Sequence, residues 1–375
     1  MEAHTLCRQL YEIITSKSYP IKPRLVVLPD QLTGSKSNFL FARSKDQIEI
    51  ICFKSTYLRI FKEAHDYFRK FKTAAIPRNE DTYYASVGLL FVTPEDKTAL
   101  NIHEDFIRNK INASQELFTH REAIPEVFLN KELQLLTLLL SSTNNRVNKS
   151  SSLWLLLRRL YVLKRELFPS LHFDYLDLCL ESAQQHISNY YCWNTLRWFY
   201  DFATNEEKDA ILVGTRSFCY RHLKDSSSWY TYGSFLSQSY ASEDFNRNEY
   251  MRHCDKYGLR HHALQCSEGP DEKRLISEII EIKSYIDRVE VLDSPPYICI
   301  LKLLRNVSPN KRLDLFEDWN QETANMEKEN AYAALRTPSS PLLEDQEDDL
   351  LLRIKFQRLK IKLQFMQNLL KEGFR

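Results

Sequence analysis

The sequence predicts an all-α fold: helical hairpins stacked into a right-handed α-α superhelix, a crescent, with a small mixed segment at the N-terminus. Three observations predict it. Glycine is scarce, 7 in 375 residues, against a usual share of about 7%. Tight turns, barrels and phosphate-cradling loops need glycine at positive φ, so folds built on them start at a disadvantage. From about Asp81 to Arg305 apolar residues recur with the helical period. Within that stretch Trp154, Trp193 and Trp229 stand 39 and 36 residues apart in matching contexts.

Residues 1–80 form the mixed segment. Arg24–Leu28 and Ile48–Phe53 are rich in β-branched side chains and read as short strands. From Tyr57 the period changes: Tyr57, Ile60, Phe61, Ala64, Phe68 and Phe71 make one stripe of an amphipathic helix, whose outer Lys62, Arg69, Lys70 and Lys72 read as a solvated face. Residues 81–333 read as helices of about 12–18 residues with short connections, which gives antiparallel pairs. Leu176, Cys179, Leu180, Ala183 and Ile187 make one stripe, and Trp193, Leu196, Tyr200 and Ala203 the next. Ser188-Asn189 between them is an N-cap dipeptide, Thr204 with Glu207 has capping-box spacing, and Asp225 can cap a further helix. Residues 143–151 and 267–272 read as polar loops. Residues 334–349, rich in proline, serine and acid, read as a flexible acidic linker. Residues 350–375 form an amphipathic helix with Leu352, Phe356, Leu359, Leu363, Met366 and Leu370 at 4-3-4-3-4 spacing. Such a seam packs on its own domain or docks on another chain.

The tryptophan contexts are K-S-S-S-L-W-L-L-L-R-R-L, S-N-Y-Y-C-W-N-T-L-R-W-F and K-D-S-S-S-W-Y-T-Y-G-S-F. Each has a capping-competent lead and then tryptophan. Arg158 and Arg197 follow the first two by four residues. A weaker copy places Leu100 at the tryptophan position, and S-P-P-Y-I-C-I-L-K-L-L-R, ending at Arg305, reads as a decayed fifth. The physical reading is a hairpin of about 36–40 residues repeated along a solenoid. Each tryptophan wedges against the neighbouring hairpin, and the arginine one turn later reaches a carboxylate or carbonyl at the junction.

Composition narrows the function classes. Hydrophobic residues make up 43% and aromatics 12%, enough for a core. Lys plus Arg total 51 and Asp plus Glu 50, a formal charge of +1, so no net field draws the chain to nucleic acid. No apolar run is long enough for a membrane span, and the first ten residues lack a signal-peptide core. The eight cysteines form no C-x-x-C pair, which fits a cytoplasmic protein with buried thiols. No metal is expected in this chain: His253-Cys254, His261-His262 and Cys266 match no closed zinc spacing. No G-x-S-x-G, H-E-x-x-H or phosphate-loop motif occurs.

The motif Asn189-Tyr190-Tyr191-Cys192-Trp193, with Lys149 five residues before Trp154 and the arginines Arg158 and Arg197, resembles the protein prenyltransferase α-subunit repeat. Within that family the resemblance is to the divergent α-subunit repeat-containing protein of geranylgeranyltransferase type III. It is carried there by His222-Leu223-Lys224-Asp225-Ser226-Ser227 before Trp229 and by R-L-V-V-L-P-D-Q-L-T-G at 24–34. The resemblance implies a crescent that is inactive alone and wraps a β subunit, that of Rab geranylgeranyltransferase. That partner would hold zinc, and geranylgeranyl diphosphate would sit at the subunit interface. The acceptor would be a cysteine on an already farnesylated SNARE. It also implies that Tyr190 faces the diphosphate, while Ser188 stands where a family lysine would. The alternative is a non-catalytic helical scaffold that binds peptides or partner proteins in a groove.

Overall fold

The computed structural model describes residues 5–15, 23–30, 37–43, 45, 48–71, 76–115, 123–237, 240–260, 271–328 and 346–373. The chain is mostly helical, with one three-stranded sheet near its N-terminus. It divides into two units, residues 1–203 with 241–265, and residues 204–240 with 266–375.

In the first unit α1 (Thr5–Thr15) precedes the strands β1 (Pro23–Leu28), β2 (Phe39–Arg43) and β3 (Ile48–Phe53), in sheet order β1-β3-β2. β1 pairs parallel with the central β3, Pro23 opposite Ile48, and β2 pairs antiparallel, Phe39 opposite Cys52. β1 and β3 are the expected strands; β2 and α1 had no clear signature. β3 runs straight into α2 (Lys54–Arg69), whose buried face is Thr56, Ile60, Ala64 and Tyr67. The expected stripe was therefore right at Ile60 and Ala64, with Tyr67 in place of Phe68. α3 (Glu80–Val92) packs between α1 and α2, and Gly88 lets them meet. A Cβ there would lie 2.5 Å from Cys7 Sγ and 3.3 Å from Ala64 Cβ.

The first unit continues as α4 (Lys97–Gln115), α5 (Ala123–Leu140), the short α6 (Asn145–Asn148), α7 (Ser151–Leu167), α8 (Tyr175–Gln185) and α9 (Tyr190–Phe202). α6 lies inside the expected polar loop 143–151. α12 (Tyr240–Tyr257) also belongs here. The pairs α3/α4, α5/α7 and α8/α9 are hairpins, and their second helices pack side by side, α4 on α7 and α7 on α9. These second helices run parallel, because their contacts keep a constant sequence offset. Glu95 meets Ser150, and Glu104 meets Arg159. Farther along, Arg158 meets Thr195, Tyr161 meets Trp198, and Arg165 meets the carbonyl of Phe202.

The second unit repeats the arrangement. α10 (Asn205–Arg221) opens with the predicted capping box, Thr204 with Glu207, and pairs with α11 (Ser226–Ser237). α13 (Glu272–Val289) pairs with α14 (Ser294–Leu304). The two hairpins are stacked in parallel: Asp209 meets Arg274, Arg216 meets Glu281, and Tyr285 donates to the Tyr220 carbonyl at 2.8 Å. α11 packs directly on α14.

α15 (Pro309–Arg312), a 3-10 turn at Asp314–Phe316, α16 (Glu317–Lys328) and α17 (Gln346–Gly373) close the second unit. α17 packs within this chain, on α14 and α16. Its buried face is Lys362, Phe365, Met366 and Leu369, so the expected seam holds at Met366 but turns Leu370 outward. Lys362, only 2% exposed, pairs with Asp287 at 2.8 Å and Glu322 at 2.7 Å and lies 4.8 Å over the Trp319 ring. The expected acidic linker falls on residues that are mostly outside those described.

The seven described cysteines are buried. Burial pushes the Cys52 and Cys299 thiols up to about 12.

Two substitutions check this packing. Gly88→Ala gains helix propensity but drives a methyl into Cys7 Sγ. A net loss of about 1–3 kcal/mol is expected in urea denaturation, relieved by adding Cys7→Ala. Phe365→Ala empties the contact among Phe316, Trp319 and Tyr297 and should cost about 3–5 kcal/mol.

Candidate functional site

The first N–H groups of a helix have no partner inside it and must be met from before the helix. Four second helices meet them in the same way. The caps Asp96, Ser150, Asn189 and Asp225 accept from the N–H of Ala99 (3.0 Å), Leu153 (3.2 Å), Cys192 (3.4 Å) and Ser228 (2.9 Å). Their carbonyls accept from Leu100 (3.0 Å), Trp154 (3.1 Å), Trp193 (3.2 Å) and Trp229 (3.3 Å), four residues on. All four of those side chains are buried. α14 keeps the spacing, from Asp293 to the buried Tyr297, without the side-chain bond. Pro295 and Pro296 stand where the bonding N–H groups would be.

These contacts place the sequence-predicted residues. Asn189 is buried and donates to Asn148 Oδ1 at 2.5 Å and Ser182 Oγ at 3.2 Å. Trp154 Nε1 donates to the Asn148 carbonyl at 2.8 Å, so Asn148 joins the two motifs. Lys149 is the C-cap of α6. Arg197 donates to Asn194 of its own helix at 3.1 Å. Tyr190 is 59% exposed, its ring 5.5 Å from that of Tyr191. Ile187 is 65% exposed, not in the expected stripe. α8 ends at Gln185 and the chain turns left-handed at Ser188, φ 57°.

Arg158 is buried and reaches the next second helix, where it meets a hydroxyl in place of the expected carboxylate or carbonyl, donating to Thr195 Oγ1 at 3.3 Å, and it lies 5.6 Å over Trp198. It also pairs with Glu249 of α12 at 3.0 Å. α12 crosses the row of second helices and meets a carboxylate on each. Asn246 donates to Asp201 of α9 at 2.5 Å. The Tyr250 hydroxyl donates to Glu166 of α7, and its ring lies tilted against Phe202 at 4.6 Å and stacks on Trp198 at 6.0 Å. Tyr257 and Lys256 donate to Glu104 of α4 at 2.5 and 2.7 Å, and Arg159 donates to the same carboxylate at 2.6 Å. The buried stripe of α12 is Asn246, Tyr250, His253, Cys254 and Tyr257, one helix face. The sequence analysis, which tested His253 and Cys254 for zinc spacing and set a metal aside, did not find this stripe. Among the described residues no group of three or more His, Cys, Asp or Glu gathers for a metal, and His261, His262 and Cys266 lie outside them.

Burial works to raise the Glu104 carboxyl, but Lys256, Tyr257 and Arg159 outweigh it and hold it below its ordinary 4.5. Glu249 is lowered against its burial by His253 and Arg158. Burial and these acceptors push the Tyr250 and Tyr257 hydroxyls far up, so both remain donors.

A second polar cluster lies under α3, α4 and α5. Ser86 Oγ is 3.0 Å from His103 Nδ1, and His103 Nε2 is 2.9 Å from Glu132 Oε2. Tyr83 and Tyr11 hydroxyls both bond Glu132. The residue types are those of a hydrolytic triad, but Ser86, His103 and Glu132 are fully buried, and Ser86 bonds the Tyr83 carbonyl at 2.6 Å. No substrate reaches that hydroxyl, so the cluster serves to satisfy buried polar groups. A cavity of about 250 Å³ lies beside it, lined by Tyr83, Tyr84, Phe106, Phe128, Lys110 and Lys131 among others.

The carboxylates give the α12 contact a pH dependence. Folded-state values below 4.5 mean that their contribution is complete above pH 4.5 and is lost as pH falls through the lowered values. Amide exchange in 244–257, corrected for intrinsic rates, should therefore speed up below about pH 4.5 and stay level above it.

Among the described residues, no helix is long and apolar enough to cross a membrane. The ECM9 N-terminal domain matches residues 1–141, the ECM9 middle domain residues 153–257 and the ECM9 C-terminal domain residues 276–375. Protein ECM9 of Saccharomyces cerevisiae (strain ATCC 204508 / S288c) is 32% identical over 368 residues, covering 97% of this chain and 96% of the yeast protein. These matches overturn the resemblance to the prenyltransferase α-subunit repeat. The residues that carried it, a polar cap and an aromatic four residues on, are a local way to start a buried helix and are open to unrelated hairpin proteins. The chain belongs to the ECM9 family.

Proposed function

We propose that this chain is a helical scaffold that binds partner proteins, with its hairpins stacked in a superhelix and the row of second helices as the binding face. The expectation of a prenyltransferase subunit, with its zinc-bearing partner, lipid diphosphate and SNARE acceptor, drew on the resemblance that the ECM9 matches replace. The observation that carries the scaffold reading is the parallel row of α4, α7 and α9. Parallel stacking lines up equivalent positions of successive hairpins, as in other repeat arrays, and such arrays bind along the resulting face. Here that face offers Glu104, Glu166 and Asp201, one carboxylate per helix, each already engaged by side chains of a crossing helix. The buried cysteines, none of them in a C-x-x-C pair, support a cytoplasmic setting.

The test is mass spectrometry of proteins retained by the tagged full chain, compared with a Glu166→Gln/Asp201→Asn variant that keeps shape and removes charge. A partner retained in fixed ratio by the wild type, and reduced at least about 10-fold by the variant, is expected from the loss of two charge-assisted hydrogen bonds. A one-to-one enzyme subunit whose catalytic turnover depends on this chain would overturn the scaffold reading.

A further inference from the structure

We propose that the cavity beside the Ser86–His103–Glu132 cluster is a binding site for a small aromatic carboxylate, one or two rings in size. The site lies wholly within the first unit and does not depend on the scaffold reading.

Its walls are aromatic. Tyr11 of α1, Tyr83 and Tyr84 of α3, Phe106 of α4 and Phe128 of α5 all line the cavity. Their rings form a connected set. Tyr11 lies 5.2 Å from Tyr83 and 5.6 Å from Tyr84, and Tyr83 lies 4.6 Å from Phe106 and 6.0 Å from Phe128. Walls of this kind take a flat ring, by its edge or by an offset face. Val127, also on the lining, is 53% exposed, so the cavity opens to solvent on that side.

The polar cluster holds these walls in place. The Tyr11 and Tyr83 hydroxyls both donate to Glu132, so each ring is fixed at its far end. Glu132 meets His103, and His103 meets Ser86. Tyr83 also stacks on His103, with ring centres 5.1 Å apart. Phenylalanine could fill either tyrosine position without needing a buried acceptor. The tether adds orientation: the rings stand in position before a ligand arrives, and binding does not have to order them.

The size sets the class of ligand. The cavity measures about 250 Å³. An apolar cavity of roughly 150 Å³ holds benzene, and drug-sized ligands occupy upward of about 300 Å³. One ring with a short side chain, or a fused pair such as indole, falls between these limits.

The sign of the charge follows from the lining. Its charged side chains are Lys110, Lys131 and Glu80. Two of the rings already carry a cation of the protein itself. Lys110 Nζ lies 5.6 Å from the Phe106 ring centre, and Arg8, paired with Glu12 at 2.8 Å, lies 5.8 Å from that of Tyr84. A ligand cation seeking a ring face would meet these charges. Glu80 belongs to the first turn of α3, where the positive end of the helix offsets it. Glu132 stands behind the tyrosines, engaged by their hydroxyls and by His103. A ligand carboxylate beside either lysine is therefore favoured over an ammonium.

The test is a ligand-observed NMR titration of the full-length chain with indole-3-acetate, indole and tryptamine, which share a ring system and differ in charge. Indole-3-acetate should bind in one-to-one ratio at millimolar concentration or below, about 10-fold or more tightly than tryptamine, with indole between them. Val127→Trp, at an exposed position, places a large side chain over the cavity and should abolish binding of all three. Lys110→Glu/Lys131→Glu should reverse the order and favour tryptamine. Amide exchange in α3, α4 and α5 checks that both variants keep the fold. No saturable binding of indole-3-acetate by the wild type overturns the proposal, as does binding that Val127→Trp leaves unchanged. Tryptamine bound as tightly as indole-3-acetate by the wild type, or an order indifferent to the lysine reversal, overturns the assignment to a carboxylate.

Discussion

Helix N-termini are the constraint on which the rest of this molecule depends. Each buried helix start must find acceptors for N–H groups that its own carbonyls cannot reach. Asp96, Ser150, Asn189 and Asp225 supply them through one side-chain oxygen and one carbonyl. The carbonyl bond fixes the residue four positions on, so Leu100, Trp154, Trp193 and Trp229 all enter the core at the same angle to their caps. A large side chain at that place sets how near the adjacent hairpin comes. Position by position, the cap decides the phase of the helix and the large side chain decides its distance.

From that phase follows the polar character of the side of the row that faces α12. With the tryptophan turned into the core, the residue one turn later, Arg158, points along the junction to Thr195 and out to Glu249. Arg159, its neighbour, turns the other way and holds Glu104. The two arginines divide one position's worth of charge between a junction and a buried acid. Breaking either pair would leave a buried charge with fewer partners, which costs more than the pair itself contributes. The Lys362 cluster in the second unit applies the same rule to α17: a buried ammonium is tolerated because two carboxylates and an indole face surround it.

Much of this was legible in the sequence. Two of the three strands, the capping box at Thr204, the cap at Asp225 and the cap-to-tryptophan spacing all rest on local chemistry, which a sequence displays directly. What local chemistry does not display is which helix fills which face. α12 reads as a mixed polar segment because its buried stripe is Asn, Tyr, His, Cys and Tyr, residues that a hydrophobic pattern passes over. The Ser86–His103–Glu132 chain spans helices from three places in the sequence and has no spacing rule. Ile187 fell in an apolar stripe by period, yet α8 ended at Gln185, with His186 extended, before reaching it. The family resemblance failed for a related reason: a cap and an aromatic wedge recur wherever a hairpin packs, so they report a physical problem and not a lineage.

The buried cysteines give the molecule an internal reporter. Cys7, Cys52, Cys179 and Cys192 lie in the first unit, Cys219 and Cys299 in the second, and Cys254 on α12. Only a thiolate reacts readily with an alkylating reagent, and burial keeps these sulfurs out of its reach. Each sulfur therefore becomes reactive only when its own helix or strand opens. The order in which the seven acquire a mass tag would trace the sequence of opening events through the chain, with Cys254 marking the release of a single helix and the others the loss of whole units.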